Sequence, residues 1–455
     1  MKQGKILKTK ALLIVCGLAV LSGYFSNVIC ELKITDNLTL DAEFRPRYEF
    51  DNRDFNSETG YDYYGTMRSR LGFRLQNIIE QTQLYMMIGD SRMLGYSNPY
   101  LTGKEPPGPN GYDNNLGIIK VYIEMRDLIS SGSMLRIGRM SNDQGRFIIF
   151  GAGDWNLYGP RTYDGFKLGI EREEYSWHLW SFFGANGDRH WYPVAGNPSK
   201  TPDNTKDYKR DHTLTGVDYT IWMKRINFLL FMDIDQLPVL NVLKNENNIA
   251  LFRNTAAVNL NWKSPGTGSE RIDFDAAYQF GTMAHDSGNA DISAWMIAGD
   301  WAHYFESQTK SWLGLGFQFV SGDDKSDPDD DVTWFFDDYS SKHSYFGRMD
   351  YFKSQTGEKS LGLHDIFLKG GMNLTNKLAG RLYLHNFTVQ ESFISQKDNS
   401  DANSLGQELD TQLIYNIRKG LTAELGVDFF VPSEDWKGSS PDHATFIYLV
   451  LTARI

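Results

Sequence analysis

"LTLDAEFRPRYEF", residues 38–50, sorts its side chains by parity. Leu38, Leu40, Ala42, Phe44, Tyr48 and Phe50 occupy every second place, interrupted at Pro46, while Thr39, Asp41, Glu43, Arg45, Arg47 and Glu49 fall between them. Successive side chains of a strand point to opposite faces, so this stretch has one greasy face and one charged face. A soluble β-sandwich also alternates, but its covered face rarely carries arginines and carboxylates. Lipid outside and a wet lumen inside account for both faces at once, and a closed barrel satisfies every backbone hydrogen bond in hydrocarbon.

The pattern recurs in "MRSRLGFRLQ" (67–76), "IKVYIEMR" (119–126), "RIDFDAAYQFG" (271–281) and "LTAELGVDFF" (421–430), and in further segments from 134–140 to 444–455. Allowing for blurred strands, the count is sixteen to eighteen. The expected fold is therefore all-β, a single-domain transmembrane antiparallel barrel over 31–455, with polar connectors such as 103–115, 186–212 and 321–344. In "ATFIYLVLTARI" (444–455) the alternation runs to Ile455, which predicts closure of the last strand against the first.

Composition bounds the rest. After residue 30 there is no run of eighteen apolar residues, so no transmembrane helix is expected. The mean hydropathy of -0.43 suits a barrel, because only alternate residues face lipid. Lys2, Lys5, Lys8 and Lys10 followed by "ALLIVCGLAVL" (11–21) read as a signal peptide within 1–30, cut near Gly23 or after Cys30. Loss of that segment takes four lysines and no acids from a formal charge of -11, leaving -15. So acidic a chain repels phosphate, and nucleic acid is excluded as a partner of its bulk charge. The expected location is the outer membrane of a Gram-negative-type bacterium, with lipid and lipopolysaccharide around the wall and periplasmic export or assembly factors as further partners.

The inward face carries the chemistry. Arg45, Arg47, Arg68, Arg70 and Arg74 come from the first two strands and should share one wall, with Arg136, Arg139, Arg161 and Lys167 following. Rings of Arg and Lys select anions, and a guanidinium grips a carboxylate through two hydrogen bonds. Glu43, Glu49 and Glu124 are the nearest countercharges, while Asp and Glu dominate the last third. A neutralised lumen network without preference is the competing reading. Tyr122 and Tyr383 face the lumen as possible sugar platforms or wall packing. His178, His303 and His385 show no metal spacing, and no G-x-S-x-G or H-E-x-x-H occurs, so neither an enzyme nor a resident cofactor is expected. The aspartate-rich loop "DDKSDPDDDVTWFFDD" (323–338) could attract Ca²⁺, although it lacks regular ligand spacing.

The densest cluster is "LRIGRMSNDQGRFIIFGAGDWNLYGPRTYDGFKL" (135–168). Gly138-Arg139, Gly145-Arg146, Asp154-Trp155 and Arg161-Thr162-Tyr163-Asp164 in this order resemble the alginate-export family of outer-membrane barrels. "RPRYEF" (45–50), "AYQFG" (277–281), "SGD" (321–323), "YFGRMDYF" (345–352) and "LGQELD" (405–410) extend the resemblance over most of the chain. It implies an eighteen-stranded barrel, acting as a monomer, that passes a uronic-acid polymer through an arginine-lined channel. It adds Arg146 to the polymer contacts and Asp154 and Asp164 to the countercharges. Ile455 and Tyr163 stand where the family pattern has a terminal aromatic and Phe. A general diffusion porin without polymer specificity is the main alternative, and a barrel enzyme a more distant one.

Overall fold

A computed structural model describes residues 32–55, 61–94, 116–155, 160–184, 211–236, 251–264, 269–285, 288–323, 331–337, 339–340, 343, 345–352, 360–439 and 441–455. The expected signal peptide, the loop 103–115, residues 186–210 and most of the aspartates of 323–338 lie outside these residues.

The elements in chain order are β1 (Leu32–Lys33), β2 (Leu38–Asn52), β3 (Asp62–Gln76), β4 (Thr82–Leu94), β5 (Gly117–Arg126), β6 (Ser133–Met140), β7 (Tyr163–Glu171), β8 (Ser176–Gly184), β9 (Asp211–Ile221) and β10 (Ile226–Gln236). They continue as β11 (Leu251–Lys263), β12 (Glu270–His285), β13 (Gly288–Tyr304), β14 (Trp312–Val320), β15 (Leu363–Asn373), β16 (Leu378–Ile394), β17 (Asp401–Arg418), β18 (Leu421–Pro432), a four-residue helix α1 (Glu434–Lys437) and β19 (Ala444–Arg454). Each of β2 to β19 pairs antiparallel with its sequence neighbour, and β19 pairs with β2, with Thr445 opposite Asn52 and Arg454 opposite Glu43. The result is a closed barrel of eighteen strands; β1 only adds a two-residue pairing to β2.

Connectors alternate in length. One end of the barrel carries turns of two to seven residues, such as 77–81 and 419–420, and the other carries connectors as long as 321–362. Short turns mark the periplasmic end of such barrels and long loops the outer end. The outer face is apolar, with Tyr48, Phe50, Leu313, Leu315, Ile366, Leu368 and Leu449 all exposed. One strand, β4, is absent from the alternating segments of the sequence. Its inward residues are Tyr85, Met87, Gly89 and Ser91, so neither face is charged below Asp90 and the parity is hidden.

The upper interior departs from a simple water-filled wall. The described parts of two outer-end connectors, 141–162 and 321–362, fold into the barrel as straps. Ile148, Ile149 and Phe150 of the first strap are buried with Trp180 and Phe182 of β8, Phe231 of β10 and Tyr339 of the second. Phe150 stacks on Tyr163 at 5.5 Å and on Tyr339 at 5.3 Å. Phe346, Met349 and Phe352 of the second strap join Phe387, Phe430 and Trp436 in the same apolar body. The cause is in the loops: they carry apolar residues that find cover only inside the barrel.

Candidate functional site

Parity places Arg45, Arg47, Arg68 and Arg70 on the inward face of β2 and β3, and pairing sets Arg45 opposite Arg68. Like charges so placed repel unless something is held between them. That something is the tip of the first strap. Arg45 donates from Nη1 to the Asp154 carbonyl at 2.8 Å and from Nη2 to the Trp155 carbonyl at 2.6 Å. Arg68, with no exposed surface, donates to the Asp154 carbonyl at 3.0 Å and lies 3.2 Å from Asp154 Oδ1. Arg70 donates to the same Oδ1 at 2.6 Å. Glu43 accepts from Arg68 Nε and Nη2 at 2.8 and 2.6 Å, and Glu49 pairs with Arg47. A loop carboxylate and two carbonyls thus occupy the arginine wall.

Trp155 caps this arrangement. The Arg47 guanidinium lies over its indole at 4.3 Å, His343 of the second strap stacks on it at 3.9 Å, and Tyr448 meets it edge-on at 5.0 Å. Trp155 was visible in the sequence only as half of the Asp-Trp motif; its place between two straps is a tertiary fact.

The first strap is tethered on the far wall. Gly145 adopts a φ of +53°, and a Cβ there would lie 2.3 Å from Asn259 of β11, so only glycine lets the strap cross so close to the wall. The next residue, Arg146, donates from Nε to Asp275 at 2.7 Å and lies 3.8 Å from both Asp273 and Asp300. Burial alone would lower the pKa of this guanidinium, yet Asp275 and the other negative groups around it hold it above its ordinary value. Arg146 is thereby placed among aspartates rather than on the arginine wall.

The remaining expected residues divide. Arg74 donates to Gln83 at 3.5 Å and lies over Tyr85 at 5.1 Å. Arg136 pairs inward with Glu124 at 2.8 Å and lies over Tyr122 at 4.5 Å. Lys167 donates to Asn142 at 3.0 Å, and Arg161 lies 5.9 Å from the Tyr339 ring. Arg139 and Asp164 require a correction: they do not line the lumen. Met140 and Tyr163, their immediate neighbours, are buried inside, whereas Ile137 and Phe183 are exposed outside on the same parity as the pair. Arg139 donates from Nε and Nη2 to Asp164 at 2.8 and 2.7 Å on the outer face. The Gly-Arg motif hid this, because Arg136 and Arg139 lie three apart and so alternate to opposite faces.

Beyond the β2–β19 seam from the arginines, β15 to β18 carry the acidic wall. Asp365, Glu408, Asp410 and Asp428 have no exposed surface, and Asp410 stands directly across from Asp428. The second strap sits on them. Glu408 Oε1 accepts the backbone N–H of Arg348 at 2.5 Å and of Met349 at 2.9 Å. Gly347, at φ +82°, allows this, since a Cβ there would fall 2.5 Å from the Glu408 carboxylate. Arg348 donates to the Tyr448 hydroxyl at 3.2 Å; burial works against its charge, but the negative groups about it, Glu424 and Asp410 included, raise its pKa. His385 bonds Asp365 at 2.9 Å and approaches Asp410 at 3.5 Å. Sequence reasoning missed Arg348, and also the fully buried Arg253–Asp233 pair at 2.6 Å. Arg348 lies within the "YFGRMDYF" echo, a faint signal for a strap.

Among the described residues no group of three or more His, Cys, Asp or Glu side chains is placed to hold a metal ion. Of the aspartate-rich loop, residues 324–330 and 338 lie outside the described residues.

Residues 36–183 match the family model for alginate export. The match spans the N-terminal third of the chain. The chain as a whole has the fold of an outer-membrane porin. It is similar to OpdK of Pseudomonas aeruginosa, solved with vanillate, with 14% identity and a TM-score of 0.54 over 91% of this chain and 98% of that one. OccK2 (OpdF) of the same organism, solved with glucuronate, gives 14% identity and a TM-score of 0.57 over 92% and 98%. OprD of Pseudomonas aeruginosa gives 14% and 0.56 over 95% and 97%. At these identities the likeness is one of fold. No curated protein matches the sequence. Barrel, strand number and outer-membrane location thus agree with the expectation for an alginate-export-type barrel, and one chain closes one whole channel.

Proposed function

We propose that this outer-membrane barrel passes carboxylated sugars, and in particular a uronate polymer, along the arginine wall. The observation that carries the reading is the grip of Arg68 and Arg70 on the Asp154 carboxylate. A uronate carboxylate has the same charge and the same two oxygens, so it can take the place of Asp154 on these guanidinium groups. Trp155, moving with the strap, offers an aromatic face at the same point. The match of residues 36–183 to the alginate-export family supports the substrate class, and two neighbours of the same fold were solved with carboxylates, one of them a uronate. Transport here needs no turnover chemistry: the wall supplies a series of exchangeable ion pairs. Lipopolysaccharide around the wall and periplasmic assembly factors belong to the same proposal.

One observation favours a general porin instead: each arginine of the wall already has a partner within the protein. Single-channel recording in a planar bilayer separates the two. An anion-selective reversal potential in a KCl gradient, with block by polymannuronate but not by neutral dextran or a polycation, is expected. That block should be lost when Arg45, Arg47, Arg68 and Arg70 are replaced by Gln. Cation preference without block would leave a general porin whose arginines are structural.

A further inference from the structure

Like charges stand directly opposite each other at a second place in the wall. Lys263, the last residue of β11, pairs with Arg271, the second residue of β12. These strands lie nine places from β2 and β3 in the ring of eighteen, so the pair faces the arginine wall across the lumen. Both side chains point inward: Asn259 and Asp273, of the same parity, are buried, whereas Ile272 is exposed outside. At Arg45 and Arg68 the strap tip relieves the repulsion expected of such a pair. Here Arg271 lies 2.7 Å from Asp273 yet keeps 42% of its side chain exposed. Lys263 is exposed as well; its ammonium lies 5.6 Å from the Tyr304 ring, and among the described residues it has no carboxylate partner.

Register carries this patch onward across β13 to β16. Tyr304, the last residue of β13, stands opposite Trp312, the first of β14. Trp312 in turn stands opposite Gly371 of β15, Gly314 opposite Lys369, Lys369 opposite Tyr383 of β16, and Gly371 opposite Arg381. Trp301, Leu313 and Leu382, of the other parity, are exposed outside, so all of these side chains face the lumen. The glycines make room for the large groups. A Cβ on Gly371 would fall 2.7 Å from Trp312 Nε1, and one on Gly314 would fall 3.1 Å from Lys369 Cε. The indole and the lysine stem thus lie along the wall. The Tyr304 and Trp312 rings are 6.1 Å apart; Lys369 Nζ lies 5.7 Å from the Trp312 ring and pairs with Asp300. Arg381 is exposed and donates to Gln412, a neutral partner, at 3.4 Å. Tyr304, Trp312 and Tyr383 are each only half-buried. Four cations and three aromatic rings therefore share one band with the carboxylates of Asp273 and Asp300, close to the short turns of the periplasmic end.

We infer that this band of β11 to β16 is a second binding site for carboxylated sugar, at the periplasmic mouth of the channel; it rests on the substrate class of the proposed function. Sugar rings lie against Trp312 and Tyr304, one carboxylate sits between Lys263 and Arg271, and another is held by Arg381. Neighbouring strands are about 4.8 Å apart, so β12 to β16 span about 19 Å, the length of a short oligosaccharide. The two sites differ in what they hold at rest. The arginine wall is filled by Asp154 and the strap carbonyls, which a solute must displace. The cations of the mouth stand exposed, so a uronate segment is captured here before it exchanges with Asp154.

The test is single-channel recording on the full chain, with a mannuronate oligomer added first to one chamber and then to the other chamber of the same channel. Lys263→Gln combined with Arg381→Gln should slow the onset of block about tenfold from one chamber only, because charges at a rim act on the rate of encounter. Trp312→Leu should leave that rate unaltered and shorten each blocked interval about tenfold, as loss of a central aromatic contact does. Each variant is first checked for the heat-dependent gel shift of a folded barrel; Tyr304→Leu replaces Trp312→Leu if the latter fails to fold. Unaltered block from both chambers, or equal loss from both, would overturn the site at the mouth. If that block were still removed by replacing Arg45, Arg47, Arg68 and Arg70 with Gln, the reading of the arginine wall would stand alone. A parent channel that no mannuronate oligomer blocks from either chamber would overturn both.

Discussion

On β2 and β3 the buried arginines all reach oxygen atoms, and the strap supplies many of them. On β16 to β18 the buried carboxylates are less well served: Glu408 Oε2, both oxygens of Asp410 and Asp428 Oδ2 have no hydrogen bond. The first wall leaves Arg47 Nε and Arg70 Nε unbonded too, but a loop carboxylate fits between its guanidinium groups. The second leans on the backbone N–H groups of Arg348, Met349 and Thr411, on His385 and on the Arg348 side chain. An unmade bond to a buried charge costs far more than a made one contributes. The acidic wall should thus be the place where one substitution matters most, and the arginine wall the place where one substitution is translated into transport.

The largest effect is expected at Arg348. Arg348→Met leaves Asp410 and Glu424 without their strap cation and should cost about 3–5 kcal/mol, read from the urea midpoint of tryptophan fluorescence in vesicles. Adding Glu408→Gln should recover part of it; full additivity would show the strap and the wall to be uncoupled. Next is Arg68→Met, which takes the buried partner from Glu43 and leaves it Arg454 at 2.9 Å and Arg70 at 3.9 Å. A loss of about 3 kcal/mol is expected, and Glu43→Gln in the same chain should soften it. If Arg68→Met were as stable as the parent, the arginine wall would not be the self-compensated structure described above.

Asp154→Asn acts on transport more than on stability. It removes the resident carboxylate, so block by uronate oligomers should tighten about tenfold, which corresponds to about 1.4 kcal/mol, with stronger anion preference. An unchanged block would mean that solute carboxylates do not compete with Asp154. The smallest effect belongs to the outer pair. Arg139→Gln with Asp164→Asn should leave reversal potential and block unaltered, and cost at most about 1 kcal/mol, since both side chains are more than a third exposed. A shifted reversal potential would return Arg139 to the lumen.

The wall of the barrel was legible because lipid enforces one rule on every strand, and Leu38 to Phe50 already state it. β4 escaped because Tyr85 and Met87 make its inner face as apolar as its outer one. The site was legible in part. Arg45, Arg47, Arg68 and Arg70 follow from parity alone, and Asp154 from the family motif. That Asp154 reaches those arginines, that Arg146 turns instead to Asp275, and that Arg348 covers Glu408 all depend on how two long connectors fold inward. No local periodicity encodes such contacts between residues so far apart in the chain. Arg139 is the opposite case: its outward direction was present in the parity and was obscured by a motif.

Pro46 in β2 has a consequence for the order of events in folding. Its ring removes a backbone donor, and the pairing of β2 with β19 skips from Val450 opposite Arg47 to Ala453 opposite Phe44. Every other pair of barrel neighbours is joined by a connector within one hairpin, whereas this seam joins chain segments at opposite ends of the sequence. Loop-closure entropy makes such a contact slow to form, and the missing donor leaves it with fewer bonds once made. The hairpins can therefore assemble in turn, with the β2–β19 seam the last joint to close and the first to open under load.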